Sequence, residues 1–212
     1  MTARLDLPPA LRSLVDVGVA LARRAPSARI AIVRAGELAD PAALRPGLRE
    51  TVERELAAAR AATCTALSPR DVERALRDAW GRPPGKLLDD LDPEPLAVRP
   101  ATQVHRAELD GAPVAVKVRR PGVERAVRND LALLDALAAP LRAAFPRLDA
   151  AALLRDVREL ALDDLDLEHE ASQQRRVARA LRAVEGVVVP RPNLELSEAG
   201  VLVTDLLDGT TL

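Results

Sequence analysis

Gln103-Val104-His105-Arg106-Ala107-Glu108-Leu109-Asp110-Gly111-Ala112-Pro113-Val114-Ala115-Val116-Lys117-Val118-Arg119-Arg120-Pro121-Gly122-Val123-Glu124 is the stretch on which the fold turns. Two β-prone runs flank Asp110-Gly111, the dipeptide best suited to reversing a chain between antiparallel strands. In the second run the twofold side-chain period puts Val114, Val116 and Val118 on one face, and Ala115 and Lys117 on the other. An ammonium buried without a partner on a strand of valines is costly, so Lys117 calls for an anionic partner or an open cleft.

The chain around this stretch has 212 residues, room for one or two domains. Its 48% hydrophobic content is inflated by alanine, and its aromatics are Trp80 and Phe145. A core of Leu, Val and Ala buries less area per residue than usual, which predicts modest stability for the chain alone. A formal charge of −1 provides no overall field for nucleic acid or an acidic membrane. The arginine pairs Arg23-Arg24, Arg119-Arg120 and Arg175-Arg176 read as solvated helix or turn faces, and no aromatic platform accompanies them, so no nucleic-acid partner is expected. Cys64 is the only cysteine, which excludes an intramolecular disulfide and a thiol metal site. The early apolar run over residues 14–22 is broken by Asp16, unlike a secretory signal. No stretch approaches the roughly 20 apolar residues that span a bilayer, and the chain reads as cytoplasmic.

Taken in order, residues 7–24 carry an apolar stripe at helical spacing, and residues 30–38 form a short segment that fits strand or helix. An Ala/Glu/Arg-rich helix is expected over residues 48–66. Ser68-Pro69-Arg70-Asp71 is a helix start, with serine at the cap and proline at the first helical position. Trp80-Gly81 ends that helix, and Pro83-Pro84 prevents its continuation. A first strand is expected near Leu96. After the lysine strand, Pro121-Gly122-Val123-Glu124 opens a helix to about residue 139, with Val123, Val127, Leu131, Leu134 and Leu137 inward. Pro140 and Pro146 bracket a connector, and Asp149 caps one long helical region to about residue 184. Val187-Val188-Val189-Pro190 and Val201-Leu202-Val203-Thr204 complete a small antiparallel sheet of five strands.

Val114-Ala115-Val116-Lys117 fits the V-A-I-K pattern, whose lysine holds nucleotide phosphates and pairs with a helix glutamate, while its alanine leaves room beside the base. With Pro95-Leu96-Ala97, Gln103-Val104-His105-Arg106-Ala107 and Arg120-Pro121-Gly122-Val123-Glu124, the stretch resembles the UbiB (AarF-like) atypical kinase-like family. In that family an alanine-rich loop replaces the glycine-rich nucleotide loop, and a Gln-Val-His run leads into the lysine strand. The resemblance implies an α+β fold: a helical N-terminal extension over residues 1–90, then a kinase-like small lobe over residues 91–212 that ends at the hinge. It further implies ATP as the ligand, with Ala97, Gln103, Ala115, Lys117, Glu170, Asp205, Leu206 and Leu207 about the nucleotide. Lys117 meets the phosphates, Glu170 orients Lys117, and Ala115 with the backbone of residues 205–207 borders the adenine.

Two further motifs of the resembled family have degenerate counterparts. Arg34-Ala35-Gly36-Glu37 stands where the family has Lys-x-Gly-Gln lying over the active site, so Arg34, Gly36 and Glu37 become regulatory candidates. Asp164 and Asp166 match a Glu-x-Asp motif that meets the signature's basic residue. Arginine keeps the charge but changes the geometry, and glutamate exchanges an amide for an anion. The carboxylates over residues 163–170 suit either a solvated helix face or a divalent cation. Arg99, Pro100 and Thr102 fall where the nucleotide loop has small residues; Pro100 removes one backbone donor, and Arg99 adds bulk and a phosphate-capable cation.

The His-Arg-Asp-type catalytic loop and the Asp-Phe-Gly that holds Mg²⁺ are absent from these residues. The expectation is a truncated or non-catalytic kinase-like protein (a pseudokinase, or half of a split kinase completed by another chain) in a family tied to isoprenoid-quinone metabolism. It would bind ATP but hold no Mg²⁺ by itself, and self-association through the face left open is expected. The competing reading is a regulatory or scaffolding module that docks a protein partner.

Overall fold

The computed structural model describes residues 65–209, except Asp164 and the side chains of Leu134, Val157 and Leu160, together with positions 9, 10, 13, 17, 49, 50, 53, 54, 57 and 61. These early positions are helical; the rest of the expectations for residues 1–64 lie outside the described residues. The chain divides into two compact units, Met1–Thr63 with Glu124–Leu162, and Cys64–Val123 with Asp163–Leu212.

The second unit is α+β, built on a sheet with the order β1-β2-β3-β4: β1 (Asp90–Val98), β2 (Thr102–Leu109), β3 (Ala112–Arg119) and β4 (Val201–Asp205). All neighbouring strands are antiparallel. Asp110 and Gly111 turn the β2–β3 hairpin with φ of 51° and 73°, the left-handed pair that a two-residue turn needs to match strand twist. Val114, Val116 and Val118 are buried, with Ala107, Val201 and Val203 beside them on one face. Against that face packs α1 (Pro69–Trp80), inserting Val72 and Leu76. Ser68 Oγ accepts from Asp71 N–H at its start, and Gly81, at φ 66°, ends it. Trp80 Nε1 donates to Leu196 O at 2.9 Å, which satisfies its one polar atom.

The expected five strands are four among the described residues. Residues 187–190 form no strand; the isolated bridges Pro192 to Thr204 and Glu198 to Val201 follow them. Pro190 and Pro192 have no N–H for a ladder, so contact with β4 reduces to single bonds, such as Asn193 N–H to Val203 O at 2.8 Å. β1 begins before Leu96 and is bulged between Leu91 and Pro95 and again before Ala97. Pro93 and Pro95 cannot donate, which confines such a strand to the sheet edge.

The expected helix to residue 139 is shorter and is continued differently. α2 (Val123–Leu131) passes into a 3₁₀ stretch, Ala132–Leu137, and α3 (Ala138–Ala144) then restarts. Pro140 therefore lies within the first turn of α3, where its missing N–H has no helical partner to lose; in a continuous helix its ring would meet the carbonyl four residues earlier. Val123 and Val127 are buried, and Leu131 and Leu137 are half-buried. The single long helix expected after Asp149 is two, α4 (Ala150–Asp163) and α5 (Leu167–Ala180). Asp149 Oδ1 accepts from the N–H groups of Ala151 and Ala152, capping α4. Asp166 breaks the run: it is extended, and its Oδ1 accepts from Glu168 N–H and His169 N–H, both at 3.0 Å.

Candidate nucleotide site

The β3 face opposite the valines meets α5. Leu167 and Ala171 of α5 are buried against Leu202, which stands opposite Lys117 in the sheet. Glu170 is one turn on from Leu167 and so shares that side of the helix. Lys117 Nζ lies 2.7 Å from both Glu170 Oε1 and Oε2. The two side chains keep 27% and 40% of their exposure, so the ion pair is open to a ligand on one side. An ammonium has three N–H donors, and two engage Glu170, which leaves donor capacity for an anion.

Small apolar side chains adjoin the lysine. Ala115 is on the Lys117 face of β3, Val104 stands opposite Lys117 on β2, and Ala97 stands opposite Val104 on β1. All three are half-buried, a low surface able to take a planar base. Val104 is the member that motif matching misses. Its signal is the hairpin itself: a two-residue turn at Asp110-Gly111 puts Leu109 opposite Ala112, and hence Val104 opposite Lys117.

The same register corrects the assignment of Gln103. It pairs with Val118, faces the core away from Lys117, and has no exposed surface. Its Oε1 accepts from Leu67 N–H at 2.7 Å, and its Nε2 lies 2.8 Å from His105 Nε2. His105 Nδ1, 2.8 Å from Asp92 O, serves the carbonyl that the β1 bulge leaves without a ladder partner. Gln103 and His105 thus form a buried relay tying β1, β2 and the entry to α1. The cavity of about 280 Å³ beside His105, between Val72, Pro84 and Leu91, is on that face also, away from the lysine.

At the expected hinge, Asp205 is turned to structure: its N–H donates to Arg191 O at 3.0 Å and its Oδ2 accepts from Arg191 N–H at 3.1 Å. Leu206 N–H donates to Pro113 O at 3.3 Å, and Leu207 is exposed. The β1–β2 connection is a tight turn rather than an amide cradle. Arg99 N–H donates to Thr102 O at 2.9 Å, and Pro100 is buried. Arg120 holds the turn by its N–H to Ala101 O and its Nε to Arg99 O, and its guanidinium also reaches Thr65 O. Arg119 donates from Nη1 to Leu165 O at 2.9 Å. The Arg119-Arg120 pair, expected to be solvated, therefore serves buried or turn carbonyls, which strand register alone does not reveal.

Asp166 spends Oδ1 on the α5 cap. Arg34, Gly36, Glu37 and Asp164 lie outside the described residues. Among the described residues, no three His, Cys, Asp or Glu side chains converge as a metal site would require, and no helix is long and apolar enough to cross a membrane.

Comparison with known proteins matches residues 61–212 to the ABC1 atypical kinase-like domain. The mouse (Mus musculus) AarF domain-containing protein kinase 1 is 30% identical over 67% of this chain and 27% of its own length. The probable protein kinase UbiB of Marinobacter nauticus is 31% identical over 63% of this chain and 25% of its own length. The chain thus spans about a quarter of the length of these curated relatives. Among solved structures, the Mycobacterium tuberculosis protein Rv3197 in complex with erythromycin superposes with a TM-score of 0.60 at 27% identity, over 79% of this chain and 42% of that one.

Proposed function

The chain belongs to the ABC1 atypical kinase-like family, and from that membership we propose that its second unit binds ATP on the sheet face that carries Lys117. The observation that carries this reading is the Lys117–Glu170 pair, a half-exposed ammonium held at 2.7 Å by both oxygens of a carboxylate, beside a surface of small apolar residues. Glu170 fixes the ammonium, Lys117 neutralises phosphate charge, and Ala97, Val104 and Ala115 receive the base. The closed β1–β2 turn supplies few free amides, so phosphate binding rests on cationic side chains more than on a backbone cradle.

Phosphoryl transfer depends on positioning and on charge neutralisation by bound metal. The Lys117–Glu170 pair and the small apolar surface beside it supply the nucleotide-holding part of such a site. The connection to isoprenoid-quinone metabolism, implied by the UbiB resemblance, belongs to this same proposal. Calorimetric titration with ATP, with and without Mg²⁺, tests the reading. Binding that weakens about tenfold in Lys117→Ala, the loss of roughly 1.4 kcal/mol, is expected, with little effect of Mg²⁺. Affinity unchanged by Lys117→Ala, or no binding to the parent chain, would overturn it.

A second reading, a docking module for a protein partner, is favoured by one observation. Val177, Val184, Val187 and Val188 are exposed along and beyond the end of α5, Val188 at 72%. A nucleotide-dependent rise in Tm separates the two, because docking alone requires none.

A further inference from the structure

We propose that Arg119 is a positioning residue: it anchors the start of α5 to β3 and thereby sets Glu170 against Lys117. The break between α4 and α5 gives it this task. Because Asp166 restarts the helix, Leu165 O, on a residue only 3% exposed, precedes the new helix and lacks an N–H of α5 as partner. A buried carbonyl without a donor is costly, and the Arg119 guanidinium supplies a charged one at 2.9 Å. Arg119 is two residues beyond Lys117 and therefore on the same face of β3. One strand thus presents two cations to one helix, Arg119 to the residue before its cap and Lys117 to its first turn.

The turn before β4 completes the anchor. Arg119 N–H donates to Gly200 O at 2.9 Å, and the neighbouring Ala199 O accepts from Leu167 N–H at 3.1 Å. The start of α5 is held from the end of β3 on one side and from this turn on the other. Glu170 follows Leu167 by three residues, so a rotation or slip of that first turn carries its carboxylate away from Nζ. The backbone bond at Leu167 and the burial of Leu167 and Ala171 resist a slip, and Arg119 adds a side-chain grip on the chain upstream of the cap.

The test reads helix position directly. In the full chain with Cys64→Ser, cysteines replacing the exposed Glu108 of β2 and Ser172 of α5 carry spin labels. The distance distribution between them is measured by double electron–electron resonance. Arg119→Ala is expected to shift and broaden the distribution, and Arg119→Lys, which keeps a donor, to restore part of it. Should Arg119→Ala not fold, Arg119→Met, which keeps an apolar stem but has no N–H to donate, takes its place with the same expectation. A distribution superimposable on the parent's in the substituted protein overturns the proposal.

The consequence for nucleotide rests on the ATP reading above and has its own readout. If Arg119 acts through Glu170, the double variant Arg119→Ala/Glu170→Gln binds ATP no more weakly than Glu170→Gln alone. Additive losses would instead mean that Arg119 touches the nucleotide itself and is not a positioning residue. If no variant and no parent binds ATP, the nucleotide reading falls, and the distance measurement still decides the role of Arg119.

Discussion

Two polar pairs on opposite faces of one hairpin have opposite signatures on substitution. Lys117–Glu170 is half-exposed, and ion pairs of that kind contribute about 1 kcal/mol or less to stability. Glu170→Gln should therefore shift the unfolding midpoint little in urea titration, while weakening ATP binding by up to about tenfold, roughly 1.4 kcal/mol. Gln103 is the reverse. Gln103→Leu strands Leu67 N–H and His105 Nε2, and a buried group left unpaired costs about 1–3 kcal/mol. Its unfolding midpoint should fall clearly, with ATP affinity retained once the protein is folded. If Gln103→Leu abolished ATP binding in folded protein, its side chain would have to serve the cleft rather than the core.

At the scale of elements, two of the aspartate- or serine-capped helices, α1 and α5, differ in what they carry. Ser68→Ala and Asp166→Ala each remove an N-cap, worth about 1 kcal/mol. Thermal unfolding should show losses of similar size. Only Asp166→Ala should also weaken ATP binding, since α5 holds Glu170 and α1 packs on the opposite face. Equal effects of both caps on ATP binding would show that α5 placement is not what matters. The α1 cap and its Gly81 stop were legible because they are local: serine, proline and glycine set their own backbone. The α4–α5 break was not. The acidic run over residues 163–170 fits a helix face as well as a cap, and the choice fell to Asp166 once Leu167 was buried against Leu202.

For the molecule as a whole, the chain on its own should hydrolyse ATP no faster than its Lys117→Ala variant in a phosphate-release assay, because phosphoryl transfer needs bound metal and, among the described residues, no three His, Cys, Asp or Glu side chains converge to hold one. Mg²⁺-dependent turnover that disappears in Lys117→Ala would show that Asp163, Asp164, Asp166 or Glu168 holds the metal. The exposed valines at the end of α5 also predict self-association, to be seen as a sedimentation coefficient that rises with concentration. What the sequence by itself determined is what neighbours in the chain decide: the Asp110-Gly111 hairpin, the valine face of β3, Lys117 opposite it, and the limits of α1. The family motif then named Glu170, 53 residues away, as the partner. What only the tertiary structure decided is where unpaired polar groups find donors and acceptors. The carbonyls of Leu165, Arg99 and Asp92 are freed by a helix break, a turn and a bulge, and Arg119, Arg120 and His105 serve them from other elements. Alternation tells which side chains share a face, but the demand for a hydrogen bond at a distant backbone atom arises only when the elements are packed.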